Sequence, residues 1–141
     1  MTSLSFPDVN IWLALASHDH VHSAIARGWW NSHEGEIAFC RISQLGLLRL
    51  LTTAAVMGNK PLSVDRSWRI YDAFFADDRV VFVYERPEVD AVFRSRAAGR
   101  AASPKIFADA WMLAMASASG GVLVTFDKAL AGRGAECLLA E

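Results

Sequence analysis

Short apolar runs exchange regularly with helix-patterned stretches along this chain, and that alternation restricts the folds open to it most. The clearest example lies near the carboxyl end. Phe107-Ala108-Asp109-Ala110-Trp111-Met112-Leu113-Ala114-Met115-Ala116 reads as an apolar helix with one carboxylate, Asp109, near its start. Val122-Leu123-Val124-Thr125 then reads as a buried strand, with Asp127 just beyond it. A carboxylate beside so much apolar surface costs free energy unless it has a partner or a task. Asp8, at the other end of the chain, is the first candidate to join these two acids.

The earlier segments follow the same alternation. Ser3 to Phe6 reads as a first strand, ended by Pro7, which has no N–H to give to a ladder. Val9 to Ala16 reads as a helix beginning just after Asp8. Asp8 is then either a simple helix cap or part of an anion- or cation-handling rim. Ser17 to His20 breaks that helix, and Val21 to Asn31 supplies a second. Glu36 to Cys40 is the second strand. Ser43 to Thr53 is an amphipathic helix with Ser43 as its N-cap. Met57 to Pro61 is a loop. Val64 to Phe75 is another helix, Val80 to Tyr84 a strand, and Pro87 opens a helix that runs to about Ala98. Ser103-Pro104 starts the apolar helix, and Gly120-Gly121 ends it. Ala129 to Gly134 is a short turn or helix, and Cys137 to Leu139 an edge strand. Strands that alternate with helices in this way predict an α/β fold, with a mainly parallel central sheet flanked by helices on both faces.

Composition sets the outer limits. The 141 residues suit a single domain over 1–141 with a full core, and 53% hydrophobic with 21% charged residues excludes a disordered chain. A net charge of −1 gives no global attraction to nucleic acid or anionic lipid, so any such binding needs a local patch. Cys40 and Cys137 are too few for a disulfide framework, which predicts a reduced, cytoplasmic setting. No basic leader precedes an apolar core, and no uninterrupted apolar run could span a bilayer.

Three further groups bear on function. Arg94, Arg96, Arg100 and Lys105 form a basic stretch without acidic residues, either a solvated face or an edge that contacts phosphates. His18, His20, His22 and His33 lack the spacing and the Cys partners of a zinc site. Trp12, Trp29 and Trp30 sit on the first two helices, as core or, if exposed, as anchors for a partner helix.

In a parallel sheet, sites form at the carboxyl ends of the strands. Asp8 and Asp127 are both predicted there, and Asp109 lies in the first turns of a helix. Clustered carboxylates repel one another, and a hard divalent cation such as Mg²⁺ or Mn²⁺ is the usual remedy. Such an ion can polarise a phosphodiester and activate water.

These residues also carry a resemblance. Pro7-Asp8-Val9-Asn10-Ile11-Trp12-Leu13, Asp109-Ala110-Trp111-Met112-Leu113-Ala114 and Thr125-Phe126-Asp127, in this order, resemble the PIN-domain ribonucleases, and among them the VapC-type toxins of toxin–antitoxin pairs. The resemblance implies a Rossmann-like α/β/α sandwich and a Mg²⁺- or Mn²⁺-dependent endoribonuclease, the toxin of a type II pair. It also implies an RNA substrate, inhibition by a cognate antitoxin, and a homodimer. It assigns Asp8, Asp109 and Asp127 as catalytic, metal-binding acids and Asn10 as a support for Asp8. Arg94, Arg96 and Lys105 are the expected RNA contacts. One departure stands out. Gly46 in Ser43-Gln44-Leu45-Gly46-Leu47-Leu48-Arg49 occupies the place where the family usually has a Glu. Gln44 lies roughly 200° around the helix from Gly46, yet from the helix start it is expected to reach the rim as a support. This departure favours one ion over two. It also motivates a second reading, a weakened PIN domain that binds RNA or a protein partner without efficient cleavage. A third is a phosphohydrolase of small phosphoesters on the same kind of fold.

Overall fold

The computed structural model describes residues 3–139. Five strands, β1 (Leu4–Pro7), β2 (Glu36–Phe39), β3 (Val80–Phe82), β4 (Val122–Thr125) and β5 (Glu136–Cys137), form one sheet in the order β3-β2-β1-β4-β5. Every pairing is parallel. Seven helices connect and cover them: α1 (Val9–Ala16), α2 (Ser23–Ser32), α3 (Arg41–Leu51), α4 (Val64–Phe74), α5 (Glu88–Ala97), α6 (Ile106–Ala118) and α7 (Lys128–Ala131). This is the predicted α/β/α arrangement.

Successive strand residues face opposite sides of the sheet, so each strand feeds two cores. Ile37 and Phe39 of β2 pack with Trp12, Leu47, Leu51 and Tyr71 beneath α1 to α4. Ala38, with Cys40 just beyond the strand, packs instead with Phe6, Val89, Met115 and Leu123 beneath α5 and α6. Gly121 permits the close approach of β4 to β1, because a Cβ there would lie 2.6 Å from the Leu4 carbonyl oxygen.

The strand order places the site. The chain steps outward from β1 through β2 to β3, then crosses to the other side of β1 to form β4. The direction of winding therefore reverses between β1 and β4, and the crevice at their carboxyl ends is the natural ligand position. Pro7 is the last residue of β1, and the ladder continues past it through Asp8 N–H, which donates to the Val124 carbonyl at 2.9 Å.

Two expectations require correction. Ser43 is not the N-cap of α3: the helix starts two residues earlier, after Cys40, and Ser43 Oγ accepts the Cys40 N–H at 3.0 Å from inside the first turn. The edge strand is Glu136–Cys137 rather than 137–139: its last ladder bond runs from Leu138 N–H to the Thr125 carbonyl at 2.9 Å, and the chain turns from Leu138 on. Of the two readings of the tryptophans, the core reading holds. Trp12 is wholly buried and stacked on Phe39 at 3.7 Å, Trp29 is buried, and Trp30 is partly covered by Trp12, Phe74 and the Arg79 guanidinium.

Candidate active site

Asp8, Asp109 and Asp127 come together as sequence reasoning proposed, lining one pocket of about 180 Å³ with Asn10, Lys105 and Thr125. Each acid is positioned by a different element. Asp8 stands between β1 and α1, where its Oδ1 accepts the Asn10 and Ile11 N–H groups at 3.1 and 3.2 Å. It is therefore the cap of α1 as well as a wall of the pocket, and the positive end of that helix faces the same space. Asp109 stands in the first turn of α6. Asp127 caps α7, accepting the Ala129 N–H at 2.9 Å.

Thr125 ties two of these acids together, a role that its place in the motif did not disclose. Its hydroxyl donates to Asp8 Oδ2 and accepts the Asp127 N–H at 3.0 Å. It is fully buried at the end of β4, so one side chain fixes the carboxylate of Asp8 and the backbone of Asp127. A Thr two residues before an Asp, at the end of an apolar strand, is the signal that would have found it.

The electrostatics are those of a site short of positive charge. Burial pushes the Asp8 carboxyl above its ordinary range; the bonds from Thr125, Ile11 and Asn10 oppose this, and the Asp109 charge adds to it. Asp109 is likewise raised, first by burial and then by Asp127, while Lys105 and Arg133 pull it down. Lys105 Nζ lies 3.7 Å from Asp127 Oδ2, an exposed pair that compensates the cluster only weakly.

The remaining expected residues separate. Asn10 lines the pocket and supports Asp8 through its backbone N–H. Gln44 is buried and turned elsewhere, accepting from the Arg41 guanidinium and bonded to Tyr71. It does not line the acid pocket; Ile42 does. Of the three predicted RNA contacts, only Lys105 stands at the pocket. Arg94 is paired with Asp90 at 2.9 Å along α5. Arg96 donates to the Arg133 carbonyl at 2.9 Å while Arg133 donates back to the Arg96 carbonyl at 2.8 Å, joining α5 to the turn after α7.

Gly46 has a physical explanation in its neighbours. A Cβ at this position would lie 2.5 Å from Val9 Cγ2 and 3.1 Å from Cγ1. The space that a longer side chain would need on α3 is taken by the first residue of α1. The pocket thus has its charged groups on the α6 and β4 side, while its α1 and α3 side, with Val9, Asn10 and Ile42, is uncharged.

Among the described residues, no three His, Cys, Asp or Glu side chains close on a common point as a ready-made metal cage. The chemistry of the donors nevertheless suits a hard divalent cation, which binds through one or two carboxylates and keeps several waters. Two carboxyls raised by burial and then by a neighbouring carboxylate, Asp109 beside Asp8 and Asp127 beside Asp109, are the groups such an ion would relieve. Among the described residues, no helix is long and apolar enough to cross a membrane.

Known proteins of similar sequence and fold give the chain a family. The PIN domain family profile matches residues 5–135. Ribonuclease VapC41 of Mycobacterium tuberculosis is 41% identical over 128 residues, covering 86% of this chain and 88% of that protein. Ribonuclease VapC44 of the same organism is 32% identical over 133 residues, covering 88% and 86%. The crystal structure of Mycobacterium tuberculosis VapC20, titled a Sarcin-Ricin loop cleaving toxin, superposes with a TM-score of 0.65 at 17% identity, over 92% of this chain and 95% of that one, a likeness of fold. With its parallel sheet, its acids at the switch point and its match from residue 5 to 135, the chain belongs to the PIN-domain family and, within it, to the VapC ribonucleases.

Proposed function

We propose that this chain is an endoribonuclease toxin of a type II toxin–antitoxin pair, which hydrolyses RNA phosphodiester bonds with the help of Mg²⁺ or Mn²⁺. The observation that carries this reading is the convergence of Asp8, Asp109 and Asp127 on one pocket at the reversal point of the sheet. Relatives named ribonucleases support the same activity. Asp8 and Asp109 would hold the ion, with Asp127 beside them. When bound, the ion supplies a polarised phosphate and a more acidic water.

The protein's own part is orientation and charge. Thr125 fixes the carboxylate of Asp8 and the backbone of Asp127. The N–H groups at the start of α1 occupy one Asp8 oxygen, which leaves its position set before any ligand arrives. Lys105, at the mouth, is placed to meet an RNA phosphate as readily as Asp127. Exposed Leu45, Val64 and Trp68 support a working life with protein partners, for which we assign a cognate antitoxin and a second copy of the chain. The two free cysteines support a reducing, cytoplasmic setting.

The test is cleavage of structured RNA by the purified chain with Mg²⁺ or Mn²⁺. Cleavage that stops with EDTA and in Asp8→Asn supports the proposal, and cleavage that persists in either contradicts it. The alternatives, a weakened PIN domain that binds without efficient cutting and a phosphohydrolase of small phosphoesters, are not favoured beside relatives named ribonucleases. RNA binding by the wild-type chain with metal present but without cleavage would establish the first of them.

A further inference from the structure

A second cavity adjoins the acid pocket and takes no part in the chemistry described so far. It measures about 270 Å³ and lies between the end of α1, the loop that follows it and the turn after α3. Leu13, Val56 and Met57 make an apolar lining, and Ser17, Asp19 and His20 bring polar atoms to it. Its link to the acid pocket is one aromatic ring. Phe126 lines the acid pocket, and His20, which lines the second cavity, stacks on Phe126 with centroids 6.0 Å apart and an interplanar angle of 24°. His22 closes on the same ring at 4.8 Å.

The polar atoms are set in a definite pattern. His20 Nδ1 accepts the His22 N–H at 3.0 Å, so the neutral ring carries its proton on Nε2 and offers a donor there. Burial, and then the neighbouring His22, lower the His20 pKa and favour that neutral form. The adjacent Asp19 is exposed and is an acceptor only. A donor beside a two-oxygen acceptor, over an apolar lining and in a volume sufficient for one base, matches one nucleobase edge best. Guanine presents an acceptor, O6, next to two donors, N1–H and N2–H. Leu13, Val56 and Met57 give the faces of a planar base apolar cover, and Phe126 backs the His20 ring from the acid-pocket side. Met57 adapts to the face of a planar ligand.

We propose that this cavity is a nucleobase pocket, with a preference for guanine, which receives a base next to the scissile phosphate and so helps to choose where RNA is cut. The strand would pass from the acid pocket over Phe126, with His20 donating to O6 and Asp19 accepting from the Watson–Crick N–H groups. This inference rests on the ribonuclease reading and adds to it a source of sequence preference.

The test uses a pool of RNA with 40 random positions (~40, ample to hold every short context), cut by the wild-type chain with Mn²⁺ and sequenced at the new ends. The expected result is a guanine excess at one fixed position beside the cut. That excess should fall by about 10-fold or more in Asp19→Asn and in His20→Ala, the size of one lost base contact. Val21→Ser, a change at an 84% exposed residue of the same loop that lines neither cavity, should keep the excess. Thermal melting of each variant separates loss of preference from loss of fold. Efficient cutting with no base preference near the cut, or a preference untouched in folded Asp19→Asn and His20→Ala, overturns the base pocket and leaves the ribonuclease reading standing. No cutting of any RNA overturns both.

Discussion

The wall of the acid pocket formed by α6 and β4 and the wall formed by α1 and α3 differ in what they offer a ligand. The first carries Asp109, Asp127 and Lys105, charged groups held close to one another. The second carries Val9 and Ile42, with Gly46 pressed against Val9 from behind. Asp8 stands between them, bonded to the first wall through Thr125 and to the second through the N–H groups of α1. The same fold thus supports a charged half and an uncharged half of one site. On the proposed reading a cation would be held from one side, which is the reason to expect a single ion. The positional cost of crowding carboxylates falls on the charged wall alone.

The largest effect should come from the charged wall. Replacing residues that merely support a metal ligand usually costs 10- to 100-fold, so removing a ligand should cost at least as much; Asp109→Asn is expected to lose about 100-fold or more in RNA cleavage rate. Its stability should move the other way. Asp8 and Asp109 both have folded-state pKa values above the ordinary 3.8, so between that value and the raised one the native state binds more protons than the unfolded state. Without metal, stability therefore falls as pH rises through this window and stays at its lower level above it. Asp109→Asn should melt no lower than the wild type at neutral pH in EDTA and should show a smaller fall across the window. A variant that melts clearly lower would mean that the charge is satisfied within the protein.

Next in size is the residue that joins the two walls. Thr125→Val keeps the shape but removes the donor to Asp8 and orphans the Asp127 N–H. It should cost about 1.5–3 kcal/mol in urea unfolding, the usual range for a hydrogen bond to a charged group. A loss well below ~1 kcal/mol, less than an ordinary neutral hydrogen bond contributes, would show that Asp8 is positioned by α1 alone.

The uncharged wall is tested by adding what it lacks. Gly46→Glu forces a Cβ into Val9 and should cost about 1–3 kcal/mol through overpacking. Val9→Ala in the same chain should recover much of that loss, since the two residues are in contact and their effects are not additive. If Gly46→Glu alone is as stable as the wild type, the two walls are less different than described. At the small end, Lys105→Ala should change stability by less than about 1 kcal/mol, because its pair with Asp127 is exposed. RNA affinity at low salt should fall more than stability does, and the salt dependence of binding should shrink.

The asymmetry of the walls was only partly legible in the sequence. The charged wall could be read because each of its acids sits at a junction with a strong local signal: Pro7 before Asp8, an apolar helix around Asp109, and an apolar strand before Asp127. The absence of a Glu at position 46 was equally visible. Its cause was not, because the contact of Gly46 with Val9 joins two helices far apart in sequence. Gln44 was expected at the rim on the strength of its place near the helix start. The real start of α3 at Arg41, set by a cap that uses Cys40 and Ser43, turns Gln44 toward Tyr71. A similar limit applies to the basic stretch. Charge is readable residue by residue, but which carbonyl or carboxylate each side chain meets depends on packing, and Arg94 and Arg96 meet Asp90 and the Arg133 carbonyl.

The claim that one charged wall and Asp8 hold a single ion is tested most directly by anomalous scattering from a crystal of this chain soaked in Mn²⁺. The account predicts one peak in contact with Asp8 and Asp109, near Asp127, and none against Val9 or Ile42. Two peaks in the pocket, a peak at Gln44 or at the histidines of the loop after α1, or no peak at all would contradict it.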